Sequence, residues 1–566
     1  MKFSEMMYVR PDVEALGAFY EDAAAKLGNA ETFAEAEEIF LSHEQRLAEV
    51  NTMFSLSYIR HSIDTNDAFY DAENDFADEA APLLEEPEQH WKLAMLRSKF
   101  RPDFEAKYGG LFFTNAEIEL KTFSPEIVPD LQRENALVSE YDKLVASAKI
   151  PFEGGVYTVS QLTPKKQAPE DGRRRAAWVA EGGWYLENGE ELDHIYDELV
   201  RLRTEIAKKL GYENYVELGY YRMTRNCYTK EDIEAFRAAV VKYIVPLADG
   251  VYRRQAARLG KTYPMEHCDN ILEYRSGNPA PQGRPEDILA QGKRFYHELS
   301  PETAAFIDVM LDNELMDVLS KDGKQVGGYC TDLLAYKVPF IFANFNGTAG
   351  DVEVITHEAG HAFAFYTARD TLPISCVSPT SEACEVHSMS MEFFAWPWLD
   401  GFFGEDARKF RYTHLSGALT FIPYGTMVDH FQHIVYENPD LTPEQRHEEW
   451  RKLSAVYMPW MKLDSIPFYG DGRHWQRQLH IYGRPFYYID YCLAQSVALQ
   501  FWAAIQADPK AAWEKYMVYT APGGTKTFRD LVTGAGMMLP FSDAALKGVA
   551  EAASQWLENY DLTGIA

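Results

Sequence analysis

Residues 357–361 read His-Glu-Ala-Gly-His, and this H-E-x-x-H pattern constrains the fold more than any other feature of the chain. A helix is expected here, with Asp351 as its N-cap and an end near Ala368. In a helix, residues four apart share a face, so His357 and His361 can reach one metal ion while Glu358 lies beside it. Two neutral nitrogen ligands and a carboxylate that can take a proton from water are what zinc-activated hydrolysis needs.

A catalytic zinc site needs a third protein ligand and an open position. Thr380 or Ser381 can cap a second helix, predicted over residues 382–396, and a short return would bring its first turns against the metal face. Glu385, Ser388 and Glu392 share one face of that helix. We therefore predict Glu385 as the third ligand, with Ser388 and Glu392 supporting the ligands through hydrogen bonds.

Three other polar residues near the motif are given structural or solvent roles. His387 projects to another side of the second helix, so we predict a structural role for it. Glu382 and Glu353 are expected to be solvated surface carboxylates, because charged residues on helices usually face water.

The pattern His357-Glu-Ala-Gly-His361 followed by Glu385-x-x-Ser388-x-x-x-Glu392 resembles the signature of the thimet oligopeptidase and oligoendopeptidase F family of zinc peptidases. The similarity extends over approximately residues 150–550. Further stretches that resemble the family's pattern occur in the same order, at residues 326–330, 339–345, 480–491 and 522–524. The resemblance implies a two-lobed, almost wholly helical zincin-type peptidase with the zinc at the bottom of a deep central channel. It also implies a preference for oligopeptides over folded proteins.

Residues 480–491 carry one histidine and four tyrosines. A tetrahedral oxyanion needs hydrogen-bond donors, which a tyrosine hydroxyl or a histidine N–H can supply. Gly483 and Pro485 favour a loop around Tyr482, whereas Tyr487, Tyr488 and Tyr491 are predicted on the following helix. The resemblance implies that His480 and at least two tyrosines contact the substrate, and our candidates are Tyr482, Tyr488 and Tyr491. For each of them an ordinary packed aromatic ring is an open alternative.

Apolar residues recur at helical spacing over residues 12–145, which predicts a helical N-terminal lobe. A turn and strand are expected at 152–162, followed by a polar connector at 163–175. We place the boundary near residue 165, so that residues 1–165 form a channel wall and 166–566 the catalytic domain. Two β-prone segments, 325–330 and 338–345, predict a small sheet whose edge strand could pair with a peptide. The fold class is therefore mainly α.

Composition excludes several classes of protein. The chain has 566 residues and a net charge of −31, with no sustained basic stripe, so nucleic acid is not an expected partner. We find no run of eighteen apolar residues and no signal-peptide pattern, which predicts no membrane association and a cytosolic location. The six cysteines include no C-x-x-C pair and are expected to be reduced.

The sequence thus predicts a zinc-dependent oligoendopeptidase with one zinc ion per chain and oligopeptide substrates. One alternative is a zinc carboxypeptidase of related helical fold, in which Arg473 or Arg484 would grip the terminal carboxylate. Another is a catalytically silent peptide-binding protein, against which the intact His357, Glu358 and His361 argue.

Overall fold

The computed structural model describes residues 1–321, 323–325, 327–345 and 347–565, with the side chains of all of these except 78, 79, 81, 82, 146 and 160. Most of the chain is α-helical, which confirms the predicted fold class. The helices are α1 Val13–Asn29, α2 Phe33–Ile63, α3 Ala68–Arg97, α4 Arg101–Tyr108, α5 Leu111–Glu119, α6 Val128–Ala146, α7 Val159–Lys166, α8 Asp171–Glu187, α9 Gly189–Lys209, α10 Tyr215–Arg222, α11 Lys230–Ala239, α12 Val245–Leu259, α13 Pro285–Leu299, α14 Pro301–Asp312, α15 Ala349–Ala368, α16 Ser381–Phe394, α17 Leu399–Phe403, α18 Ala407–Glu437, α19 Pro443–Tyr457, α20 Leu479–Gly483, α21 Tyr488–Ala507, α22 Pro509–Thr520, α23 Phe528–Gly534 and α24 Asp543–Asn559.

The strands are short and form small sheets. They are β1 Ile150–Phe152, β2 Gly155–Tyr157, β3 Met265–Glu266, β4 Met316–Leu319, β5 Tyr329–Leu333, β6 Val338–Phe345 and β7 Met461–Lys462. β1 and β2 form an antiparallel hairpin, and β3 pairs in parallel with β7. The sheet nearest the H-E-x-x-H helix has the order β4-β6-β5, with β6 parallel to β4 and antiparallel to β5.

The chain divides into two compact units, each assembled from separate stretches. Unit 1 comprises Met1–Leu120, Ala280–Ala407 and Gln500–Met537, and unit 2 comprises Lys121–Pro279, Arg408–Leu499 and Met538–Ala566. The predicted division at residue 165, the two-lobed shape and the central channel stay predictions. In the described part of the chain, no helix has both the length and the apolar character to cross a membrane.

The N-terminal helices follow the predicted periodicity. Thr32 caps α2, because its hydroxyl accepts a hydrogen bond from the Glu35 amide at 3.2 Å. One turn into that helix, Ala36 and Phe40 face a buried cluster that includes Trp91 and Phe104. This apolar stripe is the physical basis of the helical pattern read over residues 12–145.

Two predicted boundaries differ from the structure. The stretch expected to be a polar connector at 163–175 contains the end of α7 and the start of α8, because Thr158 caps α7 and Pro164 is tolerated inside that short helix. The strand expected at 325–330 begins only at Tyr329, because Gly327 has a φ of 105°, outside the strand range. Val326 lies outside the described residues.

The sequence left open which strand of the predicted sheet forms its edge, and the structure decides this. Val338–Phe345 forms β6, which is the central strand of its sheet and is buried along most of its length. The edge strands of this sheet are β4 and β5. An apolar run favours the central position, since both faces and both edges are then covered.

Candidate active site

The H-E-x-x-H residues lie inside α15, as predicted. The N-cap is Thr348 rather than the predicted Asp351, whose carboxylate instead accepts a 2.7 Å hydrogen bond from the Gly347 amide. α15 packs against α16 and the sheet, burying residues such as Ala359 and Phe363. The two histidines, on the remaining face, stay half-buried and open to a ligand.

A close approach of α15 and α16 brings the third candidate ligand to the histidines. A Cβ atom added at Gly360 would lie 2.7 Å from the Ser388 Cα and 3.0 Å from the His387 carbonyl oxygen. Only glycine allows the two backbones this near, because real Cβ contacts of that length do not occur. The residue between the metal ligands in the motif therefore sets the spacing of the two helices.

His357, His361 and Glu385 form a group that could hold a metal ion. Their candidate ligand atoms all lie within 4.8 Å of one another. The Glu385 Oε2 atom is 3.4 Å from Nε2 of His357 and 3.4 Å from Nε2 of His361. Ligand bonds of 2.0–2.1 Å around a tetrahedral ion put neighbouring ligand atoms about 3.3 Å apart. The donor set and its spacing thus fit one zinc-sized ion.

Hydrogen bonds orient these ligands. Nδ1 of His357 lies 2.6 Å from Oε1 of Glu392, which turns Nε2 toward Glu385. The Ser388 hydroxyl donates to the Glu385 carbonyl oxygen at 3.0 Å and to its Oε2 at 3.2 Å. Ser388 and Glu392 thus have the supporting positions that their spacing predicted.

The pKa values of Glu385 and His357 reflect these hydrogen bonds and charges. Burial alone would raise the pKa of Glu385, but the charges and hydrogen bonds of His361 and His357 hold this pKa far below its usual range. For His357, burial favours the neutral ring, yet the hydrogen bonds that the protonated ring donates to Glu385 and Glu392 raise its pKa well above the ordinary value. The carboxylates of Glu385 and Glu392 thus favour positive charge at this position, a property that a cation site requires.

Glu358 follows His357 on α15 and is half-buried. Among the described residues, its carboxylate has no hydrogen-bond or ion-pair partner. A carboxylate of this kind is available to accept a proton from a ligand.

The strand β5 contributes a residue that the sequence interpretation missed. Burial raises the pKa of Asp332 to about 7, and the positive charge of His361 acts against this rise. Asp332 thus lies within electrostatic range of a metal ligand. Asp332 lies between the β-prone segments 325–330 and 338–345, so neither segment singled it out.

Three neighbouring residues were given roles from the sequence: His387 and Glu382 on α16 and Glu353 on α15. His387 is buried, its ring lies 5.1 Å from that of Tyr519, and burial lowers its pKa to about 3, which fits the predicted structural role. Glu382 is also buried and accepts a 2.8 Å hydrogen bond from the Thr380 hydroxyl, so its surface assignment was wrong. Helical periodicity alone did not reveal that α16 is covered on nearly all sides. Glu353 is exposed as expected.

The tyrosine-rich segment belongs to unit 2, where part of it forms a half-buried cluster around His480. The centre of the His480 ring lies 5.0 Å from that of Tyr488, 5.6 Å from that of Tyr487 and 6.2 Å from that of Tyr491. Tyr487 precedes α21, whereas Tyr488 and Tyr491 lie in its first turn. The four side chains share a partly exposed surface of unit 2.

Tyr482 differs from this cluster. It lies in α20 rather than in the predicted loop, and its side chain is fully buried. Its ring stacks 4.0 Å from that of Tyr141, and its hydroxyl donates to the Leu192 carbonyl oxygen at 3.2 Å. The packed-aromatic alternative therefore describes Tyr482 better than a substrate contact does.

The fold is mainly helical, and two histidines and a glutamate surround one position that could hold a metal ion. Residues 3–123 match the Peptidase M3 N-terminal domain, and residues 302–551 match Peptidase family M3. The chain belongs to peptidase family M3.

Solved structures agree with this assignment over the whole chain. A PZ peptidase A structure with an inhibitor is 46% identical, covers 99% of this chain and 100% of its own, and superposes with a TM-score of 0.93. A structure described as an oligoendopeptidase F from Bacillus anthracis strain Ames is 46% identical, with 99% of each chain covered and a TM-score of 0.89. An oligoendopeptidase F homolog from Borreliella burgdorferi is 24% identical over 227 residues, which are 38% of this chain and 37% of that protein.

Proposed function

We propose that this chain is a zinc-dependent oligoendopeptidase that hydrolyses internal bonds of short, unfolded peptides. The observation that carries the proposal is the position of Glu385 Oε2, which is 3.4 Å from Nε2 of both His357 and His361. These three residues hold one zinc ion and leave a coordination position open.

Zinc, when bound, supplies a Lewis acid that polarises a peptide carbonyl and acidifies a water molecule. Glu358 takes the proton from the attacking water and passes it to the leaving amine. Glu392 holds the His357 ring in its ligating orientation, and Ser388 holds the Glu385 carboxylate.

The peptide binds in extended form along β5. This strand bonds to β6 on one side, and no strand among the described residues pairs with its other side. Backbone hydrogen bonds to a free strand edge give affinity without requiring particular side chains. This mode suits a peptidase that accepts many sequences.

His480, Tyr488 and Tyr491 contact the substrate and donate to the oxyanion of the transition state. Support comes from their grouping in one half-buried cluster, and from the resemblance stated above. Tyr482 is left out of this set because its hydroxyl is bonded inside the core of unit 2.

A deep channel would admit only unfolded chains, and local unfolding of a compact protein costs several kcal/mol. Peptides of about five to twenty residues are therefore the expected substrates. The long helical N-terminal segment forms one wall of this channel. A cytosolic location fits a chain in which no disulfide joins the described cysteines.

The test compares a stable folded domain with an internal peptide taken from it, both blocked at their ends. Each is incubated with the protein after chelation and again after zinc is restored, and the products are mapped by mass spectrometry. Zinc-dependent internal cleavage of the blocked peptide alone supports the proposal. Cleavage of both at similar rates would contradict the channel, and cleavage only after the C-terminal block is removed would favour the carboxypeptidase alternative.

A further inference from the structure

A short hydrogen-bonded chain leads from α18 to His480 within unit 2. The Tyr424 hydroxyl lies 2.8 Å from Oε1 of Gln478, and Nε2 of Gln478 lies 2.8 Å from Nδ1 of His480. Tyr424 is on α18, Gln478 immediately precedes α20, and His480 is in its first turn. One amide side chain thus connects a long helix to the imidazole of the aromatic cluster.

The orientation of the Gln478 amide follows from its partners. In the described part of the chain, Gln478 is the one hydrogen-bond partner of the Tyr424 hydroxyl. The hydroxyl proton needs an acceptor, and the Gln478 carbonyl oxygen is the acceptor within reach. The NH₂ end of the amide must then face His480, so Gln478 donates to Nδ1.

This donation determines where the imidazole carries its proton. Burial, with a smaller contribution from the charge of Arg484, lowers the pKa of His480 to about 4, so the ring is neutral near pH 7. A neutral imidazole has one N–H, and a nitrogen that accepts a hydrogen bond cannot be the protonated one. Nδ1 accepts from Gln478, which leaves the proton on Nε2. Among the described residues, Nε2 has no hydrogen-bond partner.

The segment that carries Gln478 is anchored on both sides by contacts with Tyr141. Just before it, the Gln476 carbonyl oxygen accepts a 2.9 Å hydrogen bond from the hydroxyl of the buried Tyr141. Just after it, Tyr482 stacks on the same Tyr141 ring. Both flanks of Gln478 are thereby attached to the core of unit 2. Moving its amide away from His480 would therefore cost free energy.

We propose that Gln478, itself oriented by Tyr424, is a positioning residue that keeps His480 in the Nε2–H tautomer, with that N–H available to donate to the oxyanion. The catalytic half of this inference rests on the proposed function, whereas the tautomer is a property of the folded chain alone. Tyr424 and Gln478 do not touch the substrate. They act through His480.

The tautomer is tested directly by nitrogen NMR of protein labelled at its 15 histidines, with the His480 signals assigned by their loss in His480→Gln. The expected spectrum at pH 7 shows a protonated Nε2 and an unprotonated Nδ1. In Gln478→Glu the carboxylate can only accept, so Nδ1 should become protonated. A wild-type spectrum with the proton on Nδ1 would overturn the proposal.

Turnover is measured on the same proteins, with Gln506→Leu, at an exposed glutamine of α21, as the matched control. Gln478→Leu should lower kcat by about tenfold, less than the 10²- to 10³-fold typical of losing an oxyanion donor outright. KM should hardly change, and Tyr424→Phe should give a smaller effect in the same direction. In the His480→Gln background, Gln478→Leu should lower kcat no further.

The two readouts separate the possible failures. If Gln478→Leu lowers kcat as much in the His480→Gln background as in the wild type, Gln478 does not act through His480, and the inference fails. If the protein cleaves no peptide at all, the proposed function fails, while the NMR spectra still decide the tautomer.

Discussion

Oε1 of Glu392 lies 2.6 Å from Nδ1 of His357, so a carboxylate on α16 orients a candidate metal ligand on α15. Removing the charge while keeping the shape should weaken metal binding. For Glu392→Gln we expect zinc affinity to fall about 10- to 100-fold, the usual effect of losing such a partner. The measurement is a zinc titration in competition with a chelator. Glu353→Gln, at an exposed position of α15, is the control, and equal affinities in the two variants would contradict the role of Glu392.

Glu358→Gln should keep the metal and lose turnover. An amide preserves the size of the side chain but cannot accept a proton from water, and general bases contribute about 10²- to 10⁴-fold to the rate. We therefore expect a full complement of zinc by elemental analysis and a kcat reduced by that factor. The Glu353→Gln variant again serves as control, and turnover close to that of the wild type would remove Glu358 from the role of base.

Gly360→Ala should damage the metal centre through the backbone. The added Cβ would lie 2.7 Å from Ser388 Cα, so α15 and α16 must separate. We expect a loss of about 1–3 kcal/mol in the free energy of unfolding, as in overpacked cores, and weaker zinc binding because Glu385 moves with α16. Gly417→Ala on α18, where a Cβ meets no atom within 4 Å, should instead stabilise by about 0.5–1 kcal/mol. Thermal melts with and without zinc measure both.

The hydroxyls of Tyr482 and Tyr488 should have separable effects. Tyr482→Phe removes the hydrogen bond from its hydroxyl to the Leu192 carbonyl oxygen in the core, which should cost about 0.5–1.5 kcal/mol of stability and leave kcat unchanged. Tyr488→Phe should retain the melting temperature and lower kcat by about 10²- to 10³-fold if its hydroxyl serves the oxyanion. If Tyr482→Phe lowered kcat and Tyr488→Phe lowered only the stability, Tyr482 would again be a candidate substrate contact.

His474 should make stability depend on pH. It is buried, accepts a 2.9 Å hydrogen bond from Trp450 Nε1, and has a pKa well below its ordinary value of 6.5 because of burial and the charges of His267 and Arg477. Below pH 6.5 this histidine binds a proton in the unfolded chain but stays neutral in the folded chain. Stability is therefore complete above pH 6.5 and falls as the pH drops, by up to about 1.4 kcal/mol per pH unit.

The measurement is the melting temperature at pH 7, 6 and 5. His474→Gln should show a flatter decline than the wild type over this range, even if its melting temperature is lower throughout. His194→Gln, at an exposed histidine, should follow the wild type. If the melting temperatures of His474→Gln and the wild type fell in parallel, His474 would not be a source of the pH dependence.

The grouping of His357, His361 and Glu385 could be predicted from the sequence because it is largely local. The two histidines lie one turn apart on one helix, and a short connection brings the helix that carries Glu385 back to them. The burial of Glu382 and Tyr482 could not be predicted in the same way. It depends on side chains far away in the chain, such as Tyr141 and Leu192, which no local pattern reveals.

The sheet illustrates the same limit. The β-propensity of residues 338–345 correctly predicted a strand, but whether a strand is central or at the edge depends on its neighbours. β4 comes from before the β5–β6 hairpin and pairs in parallel with β6, and this long-range contact makes β6 the central strand.

The discontinuous composition of the two units has a consequence for synthesis. Unit 1 is complete only when Met537 has been made, and unit 2 only at the end of the chain. Residues 1–120 pack their own cluster around Phe40 and Trp91, but α2 gains its contacts with β5 only later, and the last segment of unit 1 ends more than four hundred residues after Leu120. At about 5–20 residues per second this delay is tens of seconds, long enough for a chaperone to bind. The nascent chain should thus depend on such protection more than a protein of equal length whose domains follow one another in sequence.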